Sequence, residues 1–523
     1  MEGTAVPADD AATQRPARVV HPAGAGPGEK GLKKDAISFV SSVVIGVASV
    51  APGYSMAATL GFLVAVVGIH SPGIMLAAFV PMLCVAFAYR YLNKAEPDSG
   101  TSFAWITRAM GPTLGWINGW VIIVADVVVM ANLAQIAGLY TFKLVGWDSA
   151  ANSTAAVTAV GVLWIAIMTT IVVIGIELSA RTQRWLLTAE ISILSVFSVV
   201  ALIKVYANNP KGSIHPDISW FSPFGVGSFS SFVAGILLAV FIYWGWDSGV
   251  AVNEETEDPH DAPGRAAIVS TFVLVGIYVL ISTAGQAYHG VGFLVNNQDD
   301  VLSALSGDVF GSPLDKLVII AVLTSAAAST QTTILPTART SLSMARWGAL
   351  PGRFGRVHPR FMTPHVSTIV MGVASVVWYV GLTIVSENIL FDSLAALGLM
   401  IAFYYGFTGV ACAVYFRRAI FRGVRELVFV GLLPLFGGLT LLALFVKNAY
   451  DLSKPENSAS GDSWLGLGPP LVITALLIVI GILLMLWWRF TGPPESRHFF
   501  TRKTELAPID PIEGTPVAAT SSA

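Results

Sequence analysis

Apolar runs long enough to cross a membrane recur along almost the whole chain, with short polar or charged segments between them. A helix needs about 20 apolar residues to cross the roughly 30 Å hydrocarbon core of a bilayer. The runs predict twelve spans, near residues 36–63, 73–92, 114–142, 154–177, 185–206, 229–253, 266–290, 316–345, 365–386, 391–416, 426–447 and 468–490. The pattern therefore predicts an all-α, polytopic membrane protein with twelve transmembrane helices.

The composition agrees with a protein whose main partner is the lipid bilayer. Hydrophobic residues make up 54% of the chain and charged residues only 12%, against about 25% charged residues in soluble domains. The net charge of −2 gives no reason to expect a nucleic-acid partner. Cys84 and Cys412 both lie inside apolar runs, so a disulfide framework is not indicated. The first ~35 residues contain no apolar core segment, and no cleavable signal peptide is expected.

The positive charges predict the orientation of the spans. Lysine and arginine collect on the cytoplasmic side of membrane proteins. With the N-terminus placed in the cytoplasm, that side receives 24 of the 30 Lys and Arg residues. An even number of spans then places both termini in the cytoplasm. We expect a multi-pass protein of the plasma membrane.

Spans 1 and 6 carry helix-breaking residues near their centres. In span 1, Gly46, Pro52 and Gly53 interrupt an otherwise apolar run, and Pro52 removes a backbone donor. In span 6, Gly245 lies among the aromatic and acidic residues of the segment 243–247. Interruptions five spans apart point to inverted repeats with a binding site at the midplane. The alternative is a pair of ordinary kinked helices, since Gly and Pro are frequent in membrane helices.

Three segments carry a resemblance to a known family. The first, in span 6 and the loop after it, comprises Trp244, Gly245, Trp246, Asp247, Glu254, Glu255, Asp258 and Pro259. The second, at the end of span 8 and after it, runs from Ala338-Arg339 through Ser343–Leu350-Pro351 and Val357-His358-Pro359 to Thr363-Pro364. The third, before span 5, comprises Gly175, Ile176, Glu177, Ser179, Ala180 and Arg181. Together they resemble the APC (amino acid–polyamine–organocation) superfamily over roughly residues 31–450. The resemblance implies a LeuT-type fold, in which spans 1–5 and 6–10 form a 5+5 inverted repeat and spans 1 and 6 are discontinuous.

The resemblance also implies a domain organisation and a function. We expect a disordered cytoplasmic tail at 1–30, a transporter core at 31–450, an outer loop and span 12 at 451–494, and a second disordered cytoplasmic tail at 495–523. The implied function is secondary active transport of amino acids by alternating access, as proton-coupled import. Alternatives are a polyamine or cationic amine exchanger that uses Asp247 and Asp126, and sodium-coupled amino acid transport.

The substrate site is expected at the two breaks. The candidate binding residues are Val47, Ala48, Ser49, Val50, Ala51, Tyr243, Trp244, Gly245, Trp246 and Asp247. The family's G-S/A-G-I-F pattern in span 1 is replaced here by residues 46–52, so the unwinding depends on Pro52. The substrate's carboxylate would meet amides freed at the positive end of the half-helix. Its amine would face span 6 carbonyls and Asp247, with Trp244 and Trp246 closing over it.

Four further residues are candidates for coupling to H⁺ or Na⁺. Glu190 stands where many relatives carry a titratable lysine; it either takes part in coupling or pairs with a polar group of span 1 or 8. Asp126 either faces the substrate path or pairs with Gln135 or another polar group. Ser329 and Thr330 either form a cation site with span 1 carbonyls or support helix packing.

The acidic cluster after span 6 has two interpretations. Its members are Glu254, Glu255, Glu257, Asp258 and Asp261. Solvated charge is expected for most of them, and a gate against the basic loop around Arg346–Arg360 is the alternative. No catalytic constellation, metal-ligand spacing or phosphate-binding loop is visible in the sequence. A membrane-embedded enzyme or sensor is therefore disfavoured, and no cofactor is expected.

Overall fold

A computed structural model describes residues 30–298, 300–385, 387–458, 460–512 and 514. All regular elements among these residues are helical, and no strand occurs among them; isolated β-bridges join single residues, such as Ile37 and Thr256. The predicted all-α class is confirmed. The N-terminal tail expected to be disordered lies outside the described residues up to residue 29.

Nineteen α-helices follow one another along the described chain. They are α1 (Phe39–Val50), α2 (Pro52–Val67), α3 (Ser71–Ala95), α4 (Ser102–Met110), α5 (Pro112–Val145), α6 (Asp148–Ala151), α7 (Thr154–Ile174), α8 (Ile176–Asn208), α9 (Phe229–Ile242), α10 (Ser248–Ala251), α11 (Ala262–Asn296), α12 (Val301–Phe310), α13 (Lys316–Arg346), α14 (His365–Val385), α15 (Glu387–Tyr415), α16 (Val424–Glu426), α17 (Leu433–Asp451), α18 (Pro469–Thr491) and α19 (Pro494–Phe500).

The helices are those of a multi-pass membrane protein. Ten stretches of the described residues are long and apolar enough to cross a bilayer. The first of them, Phe39–Ala95, contains α1, α2 and α3, and α9 is apolar but shorter than the others. The count of twelve spans and the 5+5 repeat stay predictions.

The first span is interrupted where the sequence predicts it, at Pro52. Helix α1 ends at Val50, and Ala51 adopts left-handed backbone angles of φ 52° and ψ 64°. Helix α2 then begins with Pro52 at its first position, where the missing N–H costs nothing because that group would be unpaired anyway. The break follows from the proline, whose ring cannot be accommodated inside a continuous helix.

The second interruption separates α9 from α10. Residues 243–247 form turns, and Gly245 has a φ of 117°, a conformation that side chains rarely adopt. A Cβ atom on Gly245 would lie 2.9 Å from the Ser49 carbonyl oxygen. Helix α1 packs against α10, and α2 packs against α9. The two breaks therefore lie side by side, and Gly245 permits their close approach.

Both ends of the described chain pack at one end of the helix bundle, here called the tail face. The segment after α18, for which the sequence predicts disorder, forms α19 and then continues across this face. Its Glu505 is paired with Arg108 of α4, and its Asp510 lies 3.2 Å from Arg422. Phe499 is fully buried. The structure thus anchors the described part of the C-terminal segment, through residue 512.

Candidate functional site

The two breaks are joined by hydroxyl groups from three helices. Ser49 and Ser248 share a hydrogen bond of 2.7 Å between their Oγ atoms. Ser329 of α13 donates to the Ser49 carbonyl oxygen, also at 2.7 Å. Thr330 instead donates to Ala326 of its own helix. Of the two hydroxyl residues proposed for coupling, the structure brings Ser329 to the break and leaves Thr330 within α13.

Asp247 lies in the second break and is held by three tyrosines. The Tyr405 hydroxyl donates to its Oδ1 atom at 2.7 Å. Tyr404 and Tyr89 donate to its Oδ2 atom, each at 3.3 Å. The last two contacts are long for O–H···O bonds, which usually span 2.5–3.0 Å. Asp247 is buried and links the break to α3 and α15, while its Oδ2 atom is held loosely enough to accept a stronger donor.

The two tryptophans beside Gly245 have different surroundings. Trp246 is fully buried and stacks on Tyr405, with ring centroids 5.2 Å apart. Trp244 donates its indole N–H to the hydroxyl of Tyr404. Trp244 therefore touches the same tyrosine that contacts Asp247, and Trp246 forms one wall of the cluster.

The start of α2 is capped by side chains from α8 and α13. The Gly53 amide donates to Glu190 Oε1 at 2.8 Å, and the Tyr54 amide donates to Ser325 Oγ at 3.1 Å. Glu190 is fully buried, and its Oε2 atom has no hydrogen-bond partner among the described residues. The sequence predicts that amides here are free for a substrate. The structure gives both of them protein partners, in line with the alternative that Glu190 pairs with span 1.

Most of the candidate residues of span 1 are part of an intact helix. Val47, Ala48 and Val50 are buried within α1, and the irregular backbone is confined to Ala51. Asp126 accepts a 2.5 Å hydrogen bond from Thr337, whereas Gln135 accepts one from Tyr379. Of the two pairings left open for Asp126, the one with another polar group is formed.

A cavity of about 810 Å³ lies on the side of the breaks that faces away from the tail face. Tyr54 of α2 and Phe241 of α9 are the lining residues nearest to the breaks. Residues 243–247 are not among its described lining. The cavity is thus placed to give access toward the breaks from one end of the bundle.

Comparison with known proteins shows the family of this chain. A family model described as amino acid permease matches residues 34–478, which is most of the chain. The chain belongs to the amino acid permease family. The resemblance to the APC superfamily is confirmed.

Relatives within the family differ in what their names say they transport. The branched-chain amino acid permease BcaP of Lactococcus lactis is 24% identical over 294 residues, which cover 54% of this chain and 62% of the relative. The low-affinity putrescine importer PlaP of Escherichia coli is 21% identical over 412 residues, which cover 79% of this chain and 88% of the relative. The serine/threonine exchanger SteT of Bacillus subtilis is 22% identical over 274 residues, which cover 52% of this chain and 59% of the relative. This chain thus spans less than two thirds of the length of BcaP and of SteT.

At the tail face, Lys30 joins two carboxylates. Its Nζ atom lies 2.8 Å from Asp98 Oδ1 and 2.6 Å from Glu254 Oε1, and all three side chains are buried. Burial opposes charge on Lys30, but the two carboxylates outweigh it and raise its pKa. Burial likewise opposes charge on Asp98, but Lys30 outweighs it and lowers the pKa of Asp98. This cluster closes the tail face below α10.

A second buried ion pair corrects the expectation for the acidic cluster. Arg339 Nε lies 2.6 Å from Glu255 Oε2, with both side chains at most 1% exposed. Glu257, Asp258 and Asp261 lie at or near the surface, as expected for solvated charges. Glu254 and Glu255 are the exceptions, because both are buried in ion pairs. Their partners are Lys30 and Arg339 rather than the loop after Arg346, because the chain folds the N-terminal segment and the end of α13 against α10.

The pKa of Glu96, which follows α3 at the tail face, predicts a pH dependence. Burial raises it to about 7 from 4.5, although Arg108 opposes the shift. The folded protein therefore binds a proton that the unfolded chain releases, and stability falls as pH rises from about 4.5 to about 7. We expect the melting temperature to fall by about 2 °C across this window. Glu96→Gln should remove that slope in thermal unfolding, whereas Glu257→Gln, a change in an exposed carboxylate, should keep it. Equal slopes in wild type and Glu96→Gln would contradict the assignment.

Several site residues were not predicted from the sequence. They are Tyr89, Tyr404 and Tyr405, which surround Asp247. Gly53 was expected as a breaker of span 1 and Ser325 as one of the hydroxyl residues of span 8, but their roles in the cap of α2 were not. The adjacent tyrosines at 404–405 in an apolar span were an available signal, since hydroxyls at bilayer depth need partners. Which partner each would find depends on packing between distant spans.

Proposed function

We propose that the protein is a secondary active transporter that moves amino acids or related amines across the plasma membrane. The observation that carries this proposal is the meeting of two helix breaks around a buried carboxylate, with a cavity leading toward them from the side that faces away from the tail face. In membrane transporters, paired discontinuous helices hold the substrate while the protein alternates between two access states. Membership of a family of permeases supports the same reading.

In this proposal the substrate's ammonium group binds at Asp247. Its long contacts with Tyr89 and Tyr404 on Oδ2 would be replaced by a shorter, charge-assisted hydrogen bond. Trp244, which is hydrogen-bonded to the Tyr404 hydroxyl, would move with that tyrosine as the substrate enters. The Lys30 cluster would hold the tail face closed and would separate when the site opens to that side. We further propose twelve spans with a 5+5 repeat and both termini in the cytoplasm.

We propose proton-coupled import, with Glu190 as the proton-binding residue. Glu190 is buried, has one unpaired oxygen among the described residues, and bonds to the first turn of α2. Binding or release of a proton there would change how firmly α2 is held against α8. Sodium coupling through Ser329 is the alternative, since Ser329 already bonds to the Ser49 carbonyl at the break.

Uptake into proteoliposomes tests this coupling. A labelled panel of amino acids and amines should include a substrate that wild-type protein accumulates only when the outside is more acidic than the inside. Glu190→Gln, which mimics the protonated carboxyl group, should still exchange substrate but accumulate at most about a tenth as much under the gradient. Glu426→Gln, a change in a carboxylate near the surface after α15, is the matched control and should behave as wild type. Uptake that requires sodium and ignores pH would contradict proton coupling.

A further inference from the structure

Every amide at the start of α2 is already accounted for. Pro52 has no N–H, Gly53 donates to Glu190, and Tyr54 donates to Ser325. The next amide, that of Ser55, donates to the Ala51 carbonyl at 2.8 Å. The N-terminus of a helix is where anions bind, because its amides point outward and its dipole is positive there. In this protein the anion at that position is a side chain of the protein itself, Glu190.

Among the described residues, the cavity that leads to the breaks offers no cationic side chain to a substrate carboxylate. Its described lining contains no Lys, Arg or His, and its charged member is the carboxylate of Glu456. At the breaks themselves the charged partners are carboxylates, namely Asp247 and Glu190, and Asp126 of α5 is a third buried carboxylate. A carboxylate that leaves water needs an opposite charge or several donors to offset its lost hydration.

These observations restrict the chemistry of the substrate. We propose that Glu190 occupies the anion position of the site, so that the protein transports organic amines that carry no carboxylate beside the ammonium group. This proposal rests on the proposed transport function and narrows its substrate class. The ammonium group binds Asp247, and the remainder of the substrate lies toward Tyr54 and Phe241, which line the inner part of the cavity.

Glu190 acts as a specificity-determining residue in two ways. Its Oε1 atom accepts the Gly53 amide at 2.8 Å, so a substrate carboxylate would have to displace it. Before it binds a proton, Glu190 also repels a second carboxylate at the same helix end, since two like charges at close range disfavour each other. The Cβ position of Gly53 lies only 3.4 Å from the same Oε1 atom. The close approach of α8 to α2 therefore leaves no room for a second anion between them.

Matched pairs of an amino acid and its decarboxylated product test the proposal. One pair is arginine and agmatine, and the other is leucine and isopentylamine. Within each pair, the amine lacks only the carboxylate of the amino acid. For purified wild-type protein, substrate-induced thermal stabilisation should give a dissociation constant at least about tenfold lower for one or both amines than for the parent amino acid. Wild-type protein that binds the parents as tightly as the amines overturns the proposal.

Variants of Glu190 connect this preference to the cap. Glu190→Ala frees the Gly53 amide and removes the charge, so the preference for the amine should fall by about tenfold. Glu190→Gln still accepts from Gly53 but carries no charge, so the preference should fall by a smaller factor. An unchanged preference in both variants overturns the role of Glu190. If Glu190→Ala does not fold, the proposal is tested by the ratio of the two dissociation constants in wild-type protein and by the change of that ratio in Glu190→Gln.

The outcomes also separate this proposal from the proposed function. Binding and transport of amino acids in preference to amines would leave the transporter intact and reject only the substrate class. The absence of binding and counterflow for every member of both pairs, and for the wider uptake panel, would reject the transport function itself.

Discussion

Replacing Asp247 with asparagine is expected to weaken substrate binding by about 100-fold, because a buried ammonium group then loses its charged partner. Asparagine keeps the size of the side chain and can still accept the Tyr405 hydroxyl through its carbonyl oxygen. The fold should therefore survive. Substrate-induced thermal stabilisation of the purified protein measures the effect.

The matched control for this variant is Asp148→Asn, which removes an exposed carboxylate at the start of α6. Its affinity for the substrate should equal that of wild type. Unchanged affinity in Asp247→Asn would mean that Asp247 serves only to link the break to α3 and α15 through its tyrosines.

Replacing Arg339 with alanine is expected to destabilise the protein by about 3–5 kcal/mol, because Glu255 is left buried without its partner. Arg339 is 1% exposed and Glu255 is fully buried, so water cannot readily solvate the remaining carboxylate. The corresponding fall in melting temperature is about 4 °C, because a chain of this length has a large entropy of unfolding. Thermal unfolding in detergent measures it.

The double variant Arg339→Met with Glu255→Gln provides the control. It removes both charges and retains similar volume, which is often close to neutral for a buried ion pair. It should recover most of the lost stability. A single variant that melts within about 1 °C of wild type would contradict the buried-pair account.

The two helix breaks could be predicted from the local sequence, whereas the other parts of the site could not. Pro52 interrupts a helix wherever it stands, and Gly245 tolerates a φ of 117° that other residues avoid. Both breaks could therefore be placed from sequence. The LeuT-type arrangement was inferred from short motifs around them, and the family match confirms the membership that these motifs indicated.

Partners brought together from distant parts of the chain could not be predicted in the same way. Lys30 meets Glu254 across 224 residues of sequence, and Gly53 meets Glu190 across 137. The acidic run after span 6 has the composition of a solvated loop, so its burial depends on Lys30 and Arg339 arriving from other segments. The hydrogen-bond partners of the α2 amides could not be predicted either. The helix break leaves these amides without a partner in their own helix, and they donate to Glu190 and Ser325.

Counterflow in sealed proteoliposomes shows whether a substrate crosses the membrane through the site between the two breaks. Vesicles loaded with unlabelled amine or amino acid take up the labelled compound only if one site alternates between the two sides. We expect transient accumulation with wild-type protein and at most about 1% of that rate with Asp247→Asn. Equal counterflow in the two proteins, or none with wild type for any ammonium-bearing compound of the panel, would contradict this expectation.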